Sequence, residues 1–269
     1  MKTLLLCGGR GAFDYESRIR IPKGMATLGD RPILWHIMKS FSTYGHNEFV
    51  LALGEGGQYI RNYFLEYGSQ LQDIEVTLAT SAVETLNHLP EEDWNIKLID
   101  TGRQAQTGSR IARCRRYVED ETFFISYSDC LCNVNLASLL AYHRSQGKII
   151  TVTGVQPPTR FGIFFTKDDQ VISYSSTTNL VGKNGFINGG YMVAEPSLFE
   201  LLDPFNECTL ENEVFKQLAD DGQVAVYPHD GYWQAVDTER DMLMLNELYQ
   251  ANKRPWLPDA PSFRESVDE

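Results

Sequence analysis

Residues 3–23, TLLLCGGRGAFDYESRIRIPK, decide the fold. Thr3 to Cys7 reads as a short buried strand, and Gly8-Gly9-Arg10-Gly11 breaks it. A strand that runs into a glycine-rich loop leaves backbone N–H groups uncovered by side chains, and such loops cradle phosphates. A GGxG on its own is more simply a plain β-to-loop turn. Charge argues for more. Residues 1–40 carry seven Lys or Arg and three Asp or Glu, in a chain whose net charge is −12. Lys23, behind Pro22, is placed to return a fixed cation to the loop.

The 269 residues suffice for one large α/β domain with a full core. A hydrophobic fraction of 42% and a charged fraction of 22% are those of a soluble globular protein. The net charge excludes a general nucleic-acid binder, which needs a basic face, and allows a nucleotide, which needs only a basic pocket. The apolar start is too short for a signal peptide, and no run has the length of a membrane span, so a cytoplasmic protein with no membrane partner is expected. The five cysteines lack framework spacing, and C-x-C at Cys130 and Cys132 has no second pair, so buried free thiols are expected.

Outward from the opening strand, Pro32 to Tyr44 has apolar residues at helical intervals and Gly45 ends it. Residues 48–54 read as a strand, 58–67 as a helix, 74–79 and 96–101 as strands, with 80–95 an exposed arm between them. Gly108 to Val118 reads as a helix. Thr122 to Tyr127 is the most apolar strand and ends in Ser128-Asp129. A helix over 136–146 and a strand over 149–155 follow. This alternation predicts a Rossmann-like, mostly parallel mixed sheet flanked by helices. From 157 the texture changes to a small antiparallel addition. Then come a strand over 185–194 broken at Asn188-Gly189-Gly190, helical segments near 196–202 and 209–221, a strand over 224–228, and a last helix capped by Thr238. The tail from Pro255 packs or frays. The chain reads as one domain, 1–155 a nucleotide-binding half and 156–269 an acceptor-binding half.

Such sheets bind ligands at the carboxyl ends of their strands, where the glycine loop and Asp129 both fall. Asp237, after Trp233-Gln234-Ala235-Val236, supplies a second carboxylate. Two carboxylates beside a phosphate cradle are a common way to hold Mg²⁺, which keeps its waters and takes few protein oxygens. Singly, Asp129 reads equally as a turn residue and Asp237 as a helix-entry residue. Together with Lys23 and the loop they favour nucleotide chemistry.

The chain resembles the sugar-1-phosphate nucleotidyltransferases, closest to the glucose-1-phosphate cytidylyltransferases. The resemblance runs nearly end to end, through LLLCGGRG, PKGM, GDRPILWHIMKSFSTYG, LIDTG, TGSRI, PPTRFG, FINGGYMV and GYWQAVDTERD. It implies transfer of CMP from CTP, or of another nucleoside monophosphate, to a sugar-1-phosphate, with Mg²⁺ and with release of pyrophosphate. By the resemblance Leu6, Gly8, Gly9, Arg10, Gly11 and Ser128 hold the nucleotide, and Thr101, Gly108 and Arg110 surround its base and ribose. Lys23 and Asp129 are catalytic, Asp129 and Asp237 bind the metal, and Gly162, Asn188 and Gly190 line the acceptor pocket. A homo-oligomer is also implied.

The sequence departs from the family pattern at several points. Ala12-Phe13 stands where the family has Thr-Arg, and Pro22-Lys23-Gly24 where it has a two-lysine motif. Asn133 and Asn135 replace aspartates, and a Glu-Lys-Pro is absent. Two outcomes follow: an active enzyme with a drifted site, or a degenerate homologue that binds a nucleotide as a regulatory or scaffolding subunit.

Overall fold

The computed structural model describes residues 1–9, 12–15, 19–68, 73–86, 92–156, 163–167, 170–175, 185–205 and 207–257. Strand β1, Lys2–Cys7, is buried from Thr3 onward. Its side chains alternate between two cores. Leu5 and Cys7 join one cluster, and Leu4 and Leu6 join the cluster on the opposite face. Burial on both faces explains why the run reads as continuously apolar.

The chain then forms a hairpin of β2, Ala12–Tyr15, and β3, Ile19–Pro22, paired antiparallel from Ala12↔Pro22. Short strands β4, Thr27–Leu28, and β5, Arg31–Pro32, lead into helix α1, Ile33–Ser42. Strand β6, Glu48–Leu53, precedes α2, Gly57–Leu65. Strands β7, Ile74–Thr77, and β8, Ala82–Thr85, pair with each other. Strand β9 is Asn95–Asp100, and α3, Thr107–Arg113, and α4, Arg115–Val118, follow.

Next come β10, Phe123–Tyr127, β11, Cys130–Cys132, and α5, Leu136–Gln146. Asn135 caps α5 by accepting the Ser138 N–H at 2.9 Å, and Gly147 ends it in a left-handed turn at φ 58°. Strands β12, Ile150–Val155, β13, Ile163–Lys167, β14, Gln170–Ser175, and β15, Gly185–Ala194, precede α6, Phe215–Asp220. Strand β16 is Val224–Pro228, β17 is Trp233–Ala235, and α7 is Glu239–Gln250.

Among the described residues the main sheet has nine strands. Strands β9, β6, β1 and β10 lie side by side and parallel. Strand β15 runs antiparallel between β10 and β12, and β16 pairs parallel with β12. The fold is therefore a mostly parallel mixed sheet with helices on both faces. Helices α1, α5 and α7 pack on one face, and α3, α4 and α6 on the other. The described part of the tail packs, with Trp256 fully buried beside His36, and residues 258–269 lie outside the described residues. Among the described residues no helix is long and apolar enough to cross a membrane.

Some expected elements differ. The segment 74–79 stays outside the main sheet, because β7 pairs only with β8 in an exposed hairpin. The helix over 108–118 breaks at Cys114. Strand β15 is continuous through Asn188, but its register with β12 slips between Val152↔Met192 and Gly154↔Asn188, where one residue of β12 faces three of β15, so the irregularity falls at Gly189-Gly190. The hairpin of β13 and β14 joins the main sheet through β15. The segment near 209–221 is a π-turn, Leu210–Val214, followed by α6.

Candidate functional site

At the carboxyl ends of β1 and β10 lies a cavity of about 260 Å³. Leu6, Gly8, Gly9, Lys23, Arg110, Ser128 and Asp129 line it, with Gln104 to Thr107 on one side. Arg10, Gly11 and Gly162 fall outside the described residues.

Arg110 is a buried buckle. Its guanidinium donates to Gly8 O at 2.5 Å, Thr101 Oγ1 at 2.8 Å, Gly102 O at 2.9 Å and Leu53 O at 3.2 Å. Burial pulls its pKa below the ordinary value, with Arg113 adding to the effect. Thr101 is fully buried and donates in turn to Leu53 O at 2.7 Å. Thr101 and Arg110 thus tie the glycine loop to the ends of β6 and β9. This explains Gly8, since a Cβ there would lie 2.2 Å from Arg110 Cζ. Gly108 lies away from the cavity, where a Cβ would meet Cys208 Sγ at 2.7 Å.

The two aspartates meet because of a separate two-stranded sheet. Strands β11 and β17 pair antiparallel, Cys130 opposite Ala235, which sets the residue before one strand beside the residues after the other. The Val236 N–H donates to Asp129 O at 2.8 Å. Asn133 pins the far end, accepting the Tyr232 N–H on Oδ1 at 2.8 Å. Asp237 is steadied by the capping box of α7, where Asp241 Oδ2 accepts the Asp237 N–H at 3.0 Å and the Thr238 N–H at 2.8 Å.

Lys23 enters from the β2–β3 hairpin. Its Nζ lies 2.5 Å from Asp237 Oδ1 and 3.6 Å from Asp129 Oδ2. Gly24 lets this turn press on the backbone behind Asp129, since a Cβ there would lie 2.8 Å from Ser128 O. Burial alone would lower the Lys23 pKa, but the bond to Asp237 and the charge of both carboxylates outweigh it and hold the ammonium above its usual value. Burial raises the Asp129 carboxyl, Lys23 works against that rise, and Asp237 adds to it. Two carboxylates against one ammonium leave a net negative site made of oxygens, which suits a hard divalent cation completed by phosphate and water. The Lys23 ammonium between them stands in for such a cation. Among the described residues no group of three or more His, Cys, Asp or Glu could hold a metal, so a metal here needs ligand oxygens.

On the other side of Asp129, Asn188 and Gly190 sit on β15. Asn188 Oδ1 accepts the Gly190 N–H at 2.8 Å, and its Nδ2 donates to the Tyr127 hydroxyl at 3.2 Å. Gly190 has φ 84°, and a Cβ there would lie 2.4 Å from Cys130 Sγ. A second cavity, of about 590 Å³, opens beside this strand between Phe186, His229 and Trp233. Trp233 Nε1 donates to Gly189 O at 2.8 Å. Sequence reasoning did not single out Tyr127, Thr107 or Trp233. Tyr127 was findable as the last residue of the strand that delivers Asp129.

This fold and this site define a class. The nucleotidyl transferase family model matches residues 2–252, and the chain belongs to that family. Within it the chain is 38% identical to a probable glucose-1-phosphate cytidylyltransferase of Bacillus subtilis, covering 95% of this chain and 99% of the relative. It is 36% identical to the glucose-1-phosphate cytidylyltransferase of Salmonella typhimurium, over 95% and 98% of the two chains. Among solved structures, the UTP-bound UGPase of Acinetobacter baumannii matches with a TM-score of 0.73 at 18% identity, over 95% of each chain. The inositol-1-phosphate CTP transferase of T. maritima matches with a TM-score of 0.66 at 16% identity, over 94% and 97%.

Proposed function

We propose that this chain is a cytidylyltransferase that joins CMP from CTP to a sugar-1-phosphate, with glucose-1-phosphate the leading candidate. The observation that carries the reading is that Lys23 and Asp129 line the glycine-floored cavity and that Lys23 binds Asp237 beside it. An oxygen of the acceptor phosphate attacks the α-phosphorus of CTP. The bond to the bridging oxygen breaks, and pyrophosphate leaves with the electron pair. Such a transfer asks for positioning and charge neutralisation, not a covalent catalyst.

Gly8 and Gly9 let the triphosphate approach the backbone, and Lys23 neutralises it. Leu6 and Ser128 line the cavity beneath it, while Thr101 and Arg110 brace the wall. Asp129 and Asp237 hold Mg²⁺, which when bound neutralises phosphate charge as it develops. Arg10 and Gly11 are assigned to the same nucleotide loop by sequence, Gly108 supports α3 behind it, Asn188 and Gly190 face the acceptor, and Gly162 is assigned to the acceptor by sequence. Two separate cavities support a division into a nucleotide and an acceptor half, one lined by residues up to 129 and the other by residues from 155 onward, with Asp237 of the second half bonded to Lys23 of the first.

The chain acts in the cytoplasm and as a homo-oligomer. On the β7–β8 hairpin Val76, Leu78 and Val83 are 49%, 87% and 58% exposed, and a lone two-stranded hairpin is marginal in water unless something covers it. Pyrophosphate release should be measured with CTP, Mg²⁺ and a panel of sugar-1-phosphates, with other nucleoside triphosphates alongside. Release with CTP is expected. Nucleotide binding without release from any pair would point instead to a binding subunit, the outcome that Ala12-Phe13 in the signature loop favours.

A further inference from the structure

We propose that Glu211 is a positioning residue that fixes the direction of the hydrogen bonds running through Tyr127 to Asn188, so that Asn188 presents a donor to the acceptor. The inference rests on the reading of the site given above and adds a residue that does not line the nucleotide cavity. Glu211 sits on the π-turn Leu210–Val214, a local widening that recurs at functional sites. Its carboxylate joins three segments. Thr107 Oγ1, at the start of α3 and lining the cavity, donates to Glu211 Oε2 at 2.6 Å. The Tyr127 hydroxyl, at the end of β10, donates to Glu211 Oε1. Asn188 on β15 donates to Tyr127 Oη at 3.2 Å.

The direction of each bond is forced by the one before it. An ionised carboxylate only accepts, so Tyr127 must give its single hydrogen to Glu211. Its oxygen is then left as an acceptor, and Asn188 must offer its amide nitrogen. The Gly190 N–H, at 2.8 Å from Asn188 Oδ1, demands the same amide orientation from the other side. One amide hydrogen of Asn188 is thereby used on Tyr127, and the other is left for an oxygen of the acceptor. A glutamine at 211 has one acceptor oxygen for the two hydroxyls that Glu211 serves, and where its N–H rather than its oxygen faces Tyr127 the relay reverses. The Tyr127 hydrogen would then turn toward Asn188 and set the two amide bonds of Asn188 against each other.

The test is steady-state kinetics with CTP, Mg²⁺ and glucose-1-phosphate on the wild type, Glu211→Gln, Tyr127→Phe and the double variant. Each single change is expected to raise KM for the sugar phosphate roughly tenfold, the worth of about one hydrogen bond. The value of kcat and the KM for CTP should move less than about twofold, and the double variant should match the singles, because both cut the same relay. A purely structural role would move all three constants together and make the singles add, and either that pattern or an unchanged acceptor KM overturns the proposal. If Glu211→Gln does not fold, the isosteric Tyr127→Phe carries the same split. A wild type that turns over no acceptor removes the reading of the site itself, whereas an active wild type with an indifferent Glu211→Gln removes only this inference.

Discussion

Lys23 Nζ lies 2.5 Å from Asp237 Oδ1, although the two residues are 214 positions apart. The ammonium holds together the two carboxylates that are proposed to bind the metal. On the proposed reading it competes with a metal in the free protein and passes to the phosphates once the triphosphate binds. Lys23→Ala is expected to lower kcat/KM by about 100- to 1000-fold, the usual effect of losing one transition-state donor. The same change should tighten binding of Mn²⁺, used in place of Mg²⁺, when nucleotide is absent. Calorimetric titration of Mn²⁺ into both proteins checks this, and weaker binding by the variant would contradict the competition.

Asp129 gives a prediction with a definite sign. Its carboxyl holds a proton more tightly in the folded chain than the ordinary aspartate at 3.8, chiefly through burial. Such a group stabilises the fold below that value and loses the contribution as pH rises through its folded pKa. At pH 7 the ionised side chain therefore works against stability. Asp129→Asn should abolish turnover yet melt no lower than the wild type at pH 7, and the difference should shrink in acid. Thermal melts across pH decide the matter, and a variant that melts well below the wild type at pH 7 would show that the pair with Lys23 dominates.

The glycine loop is expected to be intolerant for a steric reason. Gly8→Ala drives a methyl into the Arg110 guanidinium, 2.2 Å away at Cζ. Overpacking of this kind costs about 1–3 kcal/mol. Urea unfolding should register that loss, and CTP affinity should fall with it as the buckle shifts. An unchanged unfolding midpoint would mean that Arg110 gives way freely.

Much of this was legible in the sequence. The apolar run of β1 and the strand before Asp129 announced a buried parallel sheet, and Lys23, Asp129 and Asp237 could be named from charge at strand ends. What brings the aspartates together could not be read. Strands β11 and β17 are three residues each, CLC and WQA, too short for any period to show. Arg110 stood out as a charge in the first turn of a helix, but its role in bracing the wall depends on the carbonyls of Gly8, Leu53 and Gly102, which only the fold brings to one point. Glu211 looks like one more solvated charge in LENEVF. Asn133 and Asn135, departures from the family's aspartates, serve as a strand pin and a helix cap.

The end of the described chain should matter as much as the site. Trp256 is fully buried, packed edge-on to His36 and donating to its Nδ1 at 3.4 Å. Trp256→Ala is expected to cost about 3–5 kcal/mol, the usual range for emptying an aromatic from a core. Denaturant titration measures this directly. A loss below about 1 kcal/mol would mean that α1 and α7 close over the gap.

The most direct test of the central claim is a crystal structure of the chain with CTP and Mg²⁺. The account predicts the ion at about 2.0–2.1 Å from oxygens of both Asp129 and Asp237, with the Lys23 ammonium moved onto a phosphate oxygen. A triphosphate bound elsewhere, with the Lys23–Asp237 pair still closed, would contradict it.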